Sequence, residues 1–284
     1  MTCKLIAFDL DGTLLNDRKE LPEENLRALE AAAERGVILV PATGRILCGV
    51  PEAIRTLPFI RYYIVSNGAA VFDTAEDRLL YRADIPLALA LRVYDYLDGL
   101  PVLYDCYQDE IGWMSREMYE RCAPYFDNEP GILALVERLR IRVDDLKETL
   151  REHGRPLQKI QMYFLPRDEA ERQRQLRRIP ELFPELIATT SVQNNIELNS
   201  VEATKGRALL ALARELGVAA EETVAFGDGS NDIPMLRAAG LGVAMANSTP
   251  DVKAAAGEIT AGNNEAGVAQ TIRRILKESE SKTL

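Results

Sequence analysis

Leu5-Ile6-Ala7-Phe8 is a short, unbroken apolar run, and it stops at two carboxylates, Asp9 and Asp11, followed by Gly12. A strand with no polar face suits a parallel sheet that is covered on both sides. Alternate residues of an extended chain share a face, so Asp9 and Asp11 point the same way and Leu10 points away. Gly12 then lets the backbone turn sharply. In open α/β sheets the ligand crevice lies at the carboxyl ends of the strands, where these acids fall. Two like charges this close repel unless a cation or a shared proton compensates them. A hard divalent ion that prefers oxygen, such as Mg2+, is the natural compensation. Taken alone, the pattern reads equally well as an acidic turn after a strand.

The rest of the chain repeats the arrangement. A helix opens at Leu21-Pro22-Glu23-Glu24 and closes at Gly36, with proline and acids at its start and glycine past its end. Val37 to Val40 is a second buried strand that ends in Pro41-Ala42-Thr43-Gly44-Arg45, and Tyr62 to Val65 a third that ends in Ser66-Asn67-Gly68-Ala69. Strand, helix, strand at this spacing predicts βαβ units and a parallel sheet.

From about Asp84 the texture changes to alternating patterns, with strands expected at Val102 to Tyr107, Leu157 to Leu165 and Leu186 to Val192. Helices are expected at Pro86 to Leu97, Asp144 to His153 and Arg167 to Arg178, and Asn128-Glu129-Pro130-Gly131 marks a turn. Such alternation suggests an α+β insertion with a half-exposed sheet. The opening texture returns near Asn195: Thr204-Lys205-Gly206 leads into a helix, and Thr223 to Phe226 is a buried strand followed by Gly227-Asp228-Gly229-Ser230-Asn231-Asp232. Leu241 to Met245 ends in Ala246-Asn247-Ser248-Thr249-Pro250; Gly267 to Lys277 is the last helix, and a polar tail expected to fray begins at Glu278. The expected domains are therefore a core of residues 1–83 and 194–284 and an insertion of residues 84–193.

Composition removes several classes of function. A net charge of −10 and a pI near 4.9 argue against a nucleic-acid or anionic-membrane binder. No apolar run approaches the roughly 20 residues that span a bilayer, and without a basic segment, apolar stretch and small-residue cleavage site near Met1 export is not expected. Cys3, Cys48, Cys106 and Cys122 are scattered, which fits reduced thiols in a cytoplasmic protein rather than disulfides or zinc. The one histidine, His153, stands before Gly154 at a helix end, so acid–base work falls to carboxylates, lysine or tyrosine.

The strand ends together supply Asp9, Asp11, Thr43, Asn67, Lys205, Asp228, Asn231 and Asp232. This is a metal site (Asp9, Asp228, with Asp232 a further candidate) beside a phosphate cradle (Thr43, Asn67, Lys205), the parts that phosphoryl transfer requires. Neither a P-loop nor a G-x-G-x-x-G fingerprint is present. Each residue has a duller explanation: Thr43 and Asp232 as helix caps, Asn67-Gly68 as a plain turn, Asn247 as a strand end, and Lys205 as a solvated cation. Tyr104, Tyr107 and Trp113 are candidates for substrate contact whose plainer reading is packing. Independent turns would not all deliver metal and phosphate ligands to sheet ends.

Phe8-Asp9-Leu10-Asp11-Gly12-Thr13-Leu14-Leu15 resembles the first motif of the haloacid dehalogenase-like phosphatase superfamily, and Ala42-Thr43-Gly44-Arg45 its second. Thr204-Lys205-Gly206 resembles the third motif and Gly227-Asp228-Gly229-Ser230-Asn231-Asp232 the fourth. Ser66-Asn67-Gly68-Ala69 and Met245-Ala246-Asn247-Ser248, with Gly267-Val268 after them, are similar to the Cof-type (class IIB) branch; Ala246 and Ser248 replace the glycine and alanine often found there. The resemblance implies a Rossmann-like doubly wound core with an inserted α+β cap of the C2B type. It implies a Mg2+-dependent hydrolase of small phosphomonoesters, sugar phosphates or nucleotide and cofactor phosphates.

In that scheme Asp9 is the nucleophile that becomes an aspartyl-phosphate, and Asp11 is the acid and then the base. Asp9, the Asp11 carbonyl and Asp228 hold Mg2+, with Asn231 and Asp232 in support. Thr43, Gly44 and Lys205 bind the phosphoryl oxygens, and Asn67 and Asn247 add contacts at the rim. The cap closes to exclude water and select the leaving group.

A signalling receiver shares the acid cluster, threonine and lysine, but Asp11 favours turnover over a long-lived phosphoaspartate, and the insertion does not fit a compact receiver. A phosphosugar mutase keeps the same core and retains the phosphoryl group, and a purely binding role would lack one of the acids. The physiological substrate, the cap residues that choose it and the oligomeric state are not legible in the sequence.

Overall fold

The computed structural model describes residues 3–126 and 130–280. Asn128 and Glu129 of the expected turn, and Ser281 to Leu284 of the expected tail, lie outside the described residues. The chain divides into two compact units, residues 1–45, 50–82 and 203–284, and residues 46–49 and 83–202.

The first unit begins with β1 (Leu5–Phe8), α1 (Glu23–Ala33), β2 (Ile38–Pro41), the short α2 (Glu52–Arg55), β3 (Tyr62–Val65), β4 (Ala70–Asp73) and β5 (Arg78–Arg82). The second contains α3 (Leu87–Leu97), β6 (Leu103–Gln108), β7 (Ile111–Ser115), α4 (Arg116–Glu120), α5 (Pro130–Leu139), β8 (Arg140–Val143), α6 (Leu146–His153), β9 (Lys159–Tyr163), α7 (Glu169–Leu182), β10 (Leu186–Thr189) and β11 (Asn195–Ser200). The first unit resumes with α8 (Lys205–Glu215), β12 (Thr223–Gly227), α9 (Ile233–Ala238), β13 (Leu241–Ala244), α10 (Pro250–Ala255), β14 (Glu258–Ile259) and α11 (Gly267–Glu280).

Strand order in the first unit is β14-β13-β12-β1-β2, all parallel. All four residues of β1 are fully buried, as an apolar run without a polar face demands. Leu5 and Ala7 pack with Leu209, Leu212, Met235 and Leu236 of α8 and α9, while α1 packs against α11. The chain leaves β1 toward β2 on one side and returns as β12 on the other, so the order reverses between β1 and β12. Loops after two such strands part in opposite directions and open a crevice. Asp9 follows β1 and Asp228 follows β12.

Two sequence expectations need correction. Tyr62–Val65 is not a ladder strand of the parallel sheet. It starts an antiparallel sheet β3-β4-β5 and runs alongside β2, joined to that segment by the isolated parallel bridges Leu39–Ile60 and Ala42–Ile64. The other strands of that sheet are Ala70–Asp73 and Arg78–Arg82, the second with exposed ends and with Leu80 and Tyr81 half-buried against the core. The return to the core also falls at residue 203 rather than 194. β11 pairs antiparallel with β9 and β10 and so belongs to the insertion, while residues 46–49 group with the insertion despite lying next to Thr43 in sequence.

The second unit has a six-stranded sheet, β10-β11-β9-β6-β7-β8, antiparallel except where β7 meets β8. One face, with Tyr104, Cys106, Ile160, Met162, Ile196 and Leu198, packs on α3, α6 and α7. The other is not the half-exposed face the alternation suggested, because its polar residues are buried. Asp105 accepts from Arg140 Nε at 2.7 Å, Arg140 Nη2 donates to Gln161 at 2.8 Å, and Lys159 lies 3.0 Å from Glu197. All four charged side chains are at most 3% exposed. Removing one partner of such a pair strands the other charge. We therefore expect Arg140→Met to lower stability by about 3–5 kcal/mol in urea titrations. Adding Asp105→Leu should recover most of that loss; a double variant as unstable as the single would mean the packing, not the charge, is at stake.

Trp113 meets the His153 ring edge-on at 4.9 Å, Tyr104 donates to Asp98, and Tyr107 underlies the Arg140 guanidinium at 4.3 Å. All three candidates for substrate contact are packed inside this unit. His153 ends α6 as expected, with Gly154 left-handed after it.

Candidate active site

Asp9 continues β1, its N–H donating to the Phe226 carbonyl at 3.0 Å, and its side chain is 10% exposed. Facing it is Lys205, completely buried, whose Nζ lies 2.6 Å from Asp9 Oδ1 and 2.6 Å from Asp232 Oδ1. Thr204 caps α8 by accepting from the Arg207 N–H at 3.2 Å, which puts Lys205 at the first helical position. A cation at a helix N-terminus opposes the helix dipole. What holds it there is the pair of carboxylates. Burial alone would lower the Lys205 pKa, but Asp232 and Asp9 raise it above its ordinary value, so the ammonium stays charged.

The G-D-G-S-N-D loop closes on itself. Asp232 Oδ2 accepts from the N–H groups of Asp228 at 3.0 Å and Gly229 at 2.9 Å, so this residue braces its own loop and does not cap α9 with its side chain. Asp228 Oδ1 accepts from the Thr13 hydroxyl at 2.7 Å. Gly12, at φ 84°, passes so close that a Cβ there would lie 2.5 Å from Asp228 Oδ2. One carboxylate oxygen each of Asp9, Asp228 and Asp232 lies within 4.8 Å of the others.

Burial pushes the Asp9 carboxyl well up, Lys205 opposes this, and Asp232, Asp228 and Asp11 add to it. Burial and Asp232 push Asp228 up to about 6. Three hard oxygen donors crowded beyond what one ammonium neutralises fit a divalent cation such as Mg2+.

Asp11 is turned elsewhere. It receives Arg45 in a two-pronged pair, Nε to Oδ2 and Nη2 to Oδ1, both at 2.8 Å, and Lys19 Nζ lies 3.1 Å from Oδ1. Burial works to raise its pKa, yet Arg45 and Lys19 hold it down at about 2. The carboxylate is therefore an anion at neutral pH, and its side chain is not part of the Asp9–Asp228–Asp232 group.

Thr43 is buried, its N–H bonded to Ile64 O at 2.9 Å and its hydroxyl accepting from Arg45 N at 3.2 Å; Gly44 lies between them, half-buried. Asn231 Nδ2 donates to Asn67 Oδ1 at 3.1 Å. Asn247 Nδ2 donates to Gly12 O at 2.9 Å, tying its loop to the turn after β1.

Arg45 and Lys19, which hold Asp11, and Thr13, which holds Asp228, are contacts of the site that the sequence reading does not single out. Arg45 had a signal, an arginine two residues beyond Thr43 at a sheet edge that gathers anions. Lys19, left-handed at φ 61° in a loop, had none.

The fold and the acid–lysine constellation together define a phosphoryl-transfer enzyme of the α/β type. The haloacid dehalogenase-like hydrolase family matches residues 6–272, and the chain belongs to it, in its Cof-type phosphatase branch. It is 31% identical to the phosphatase YwpJ of Bacillus subtilis, over 96% of this chain and all of that one. It is also 31% identical to the B. subtilis 5-amino-6-(5-phospho-D-ribitylamino)uracil phosphatase YcsE, over 95% of this chain and 94% of that one. A haloacid dehalogenase-like hydrolase from B. subtilis superposes with a TM-score of 0.79 at 30% identity, covering 95% of this chain and 99% of its own. Among the described residues no helix is long and apolar enough to cross a membrane, and no disulfide joins the four cysteines.

Proposed function

We propose that the protein hydrolyses small phosphomonoesters, sugar phosphates or nucleotide and cofactor phosphates, through an aspartyl-phosphate on Asp9. The observation that carries this reading is the Asp9–Lys205–Asp232 group beside Asp228, at the point where the strand order reverses. Asp9 attacks phosphorus and the leaving oxygen departs, which leaves the phosphoryl group on Asp9. Water then attacks that phosphorus and returns the free carboxylate. Lys205 neutralises one Asp9 oxygen and, with Thr43 and Gly44, binds phosphoryl oxygens.

Mg2+ would be held by Asp9, Asp228 and the Asp11 carbonyl, with Asp232 and Asn231 ordering that shell, and it would supply charge neutralisation for the phosphoryl group. Asp11 starts as an anion held by Arg45 and Lys19. An arriving phosphate draws Arg45 toward itself and brings negative charge, and both changes raise the affinity of Asp11 for a proton. Asp11 then protonates the leaving oxygen and later deprotonates water. The scattered spacing of Cys3, Cys48, Cys106 and Cys122 suits a reducing compartment, the cytoplasm.

Asp11→Asn tests the scheme with p-nitrophenyl phosphate, whose leaving group needs no acid. We expect the wild type to turn over with Mg2+. The variant should release one equivalent of nitrophenol per enzyme and then stall as a labelled Asp9. Unchanged steady-state turnover in the variant, or none in the wild type with Mg2+, would overturn it.

A further inference from the structure

Ser66, Asn67 and Gly68 form three consecutive left-handed residues, at φ 50°, 62° and 97°. Glycine adopts this region freely and asparagine tolerates it, but serine does so at a steric cost. Such strain persists only where the surroundings over-determine it, and here they do. The Ser66 N–H donates to Arg45 O at 2.9 Å and the Asn67 N–H to Thr43 O at 3.0 Å. The Asn67 side-chain oxygen accepts from Asn231 at 3.1 Å, and the residue is 4% exposed. Gly68 lies against the start of α8, where a Cβ would stand 2.3 Å from the Thr204 carbonyl oxygen and 2.7 Å from the Lys205 nitrogen. One turn thus meets the segment carrying Thr43 and Arg45, the helix start carrying Lys205, and the loop carrying Asn231 and Asp232. These segments are far apart in sequence.

We infer that Asn67 is a positioning residue of the proposed phosphatase. It acts through Asn231 and the Thr43 backbone and does not bind the phosphoryl group itself. This assignment rests on the hydrolase reading but makes a separate prediction. A direct phosphate ligand loses phosphate affinity when removed, and its effect multiplies with that of any independent residue. A residue acting through Asn231 loses rate at nearly constant phosphate affinity, and its effect is already spent once Asn231 is gone.

The test is a double-variant cycle of Asn67→Gly, Asn231→Ala and both, at saturating Mg2+, with p-nitrophenyl phosphate as substrate and inorganic phosphate as competitive inhibitor. Glycine keeps the left-handed backbone and the N–H to Thr43 but removes the side-chain acceptor. We expect each single variant to lose about 10-fold in kcat and the double variant no more than about 20-fold, with KM and the phosphate inhibition constant within about 3-fold of wild type. A double variant down by the product of the singles would overturn the assignment, as would a phosphate inhibition constant raised about 10-fold by Asn67→Gly alone. Should Asn67→Gly unfold below the assay temperature, Asn67→Ser takes its place in the same cycle under the same criteria. An inactive wild type would reject the hydrolase reading itself, an outcome distinct from either pattern among the variants.

Discussion

Asp9→Asn is expected to lower kcat by roughly 10^4-fold or more while the protein stays folded, because an amide cannot attack phosphorus and no second nucleophile stands in its place. Asp232 holds Lys205 at the same 2.6 Å as Asp9 does, so the ammonium keeps a partner in the variant. Removing one of several crowded carboxylates also relieves repulsion, since burial, Asp232, Asp228 and Asp11 all act to raise the Asp9 pKa. Stability measured without Mg2+ should therefore be unchanged or slightly higher than in the wild type. Two measurements check this together: Mg2+-dependent phosphate release, and a urea titration in EDTA. Substantial residual turnover would place the nucleophile elsewhere. A folded-state loss of several kcal/mol would show that Asp9 serves structure first.

Lys205→Met should have the second largest effect, and of a different kind. Methionine fills much of the same volume, so the change removes a fully buried charge and leaves Asp9, Asp228 and Asp232 without their cation. Stranding buried carboxylates costs about 3–5 kcal/mol, and turnover should fall with it. The pH dependence carries the diagnosis. Asp9 and Asp228 already stand above the ordinary carboxylate range with the lysine present, and its removal moves them further up. A folded-state pKa above the unfolded value of about 3.9 means that the folded protein binds more protons. The penalty is therefore complete above the folded pKa and fades as pH falls through it. The gap between wild type and Lys205→Met in EDTA should be widest at pH 8 and narrow toward pH 5. Mg2+ should recover part of the gap at pH 8. A gap independent of pH and of Mg2+ would mean that the lysine contributes by packing alone.

Three of the four motifs are legible because each stands at the end of a short apolar run, where the chain has no freedom to hide a polar cluster; the other, Thr204-Lys205-Gly206, opens a helix instead. The structure gathers Asp9, Lys205, Asp228 and Asp232 within hydrogen-bonding or ligand distance. Lys205 shows how far sequence reasoning can be trusted residue by residue. Taken alone it reads as a solvated cation, yet in the fold it is the most buried charge of the site. Its burial follows from partners 196 and 27 residues away, and no local pattern records them.

The buried polar face of the second unit is the converse case. Alternation there suggests a half-exposed sheet. Asp105 instead pairs with Arg140 and Lys159 with Glu197, buried on four strands, and period-two patterning is the same for a face turned to water and a face of paired charges.

The sequence by itself determined the class of fold and which carboxylates stand at the strand ends, because apolar runs, glycines and acid spacing act over a few residues. Only the tertiary structure decided that Asp11 is held as an anion by Arg45 and Lys19, that residues 195–200 join the inserted sheet, and that a strained turn at Ser66 to Gly68 binds three distant segments together. Electrostatic partnership and strand pairing depend on distance in space. Residues separated by tens or hundreds of positions acquire that distance only when the chain has folded.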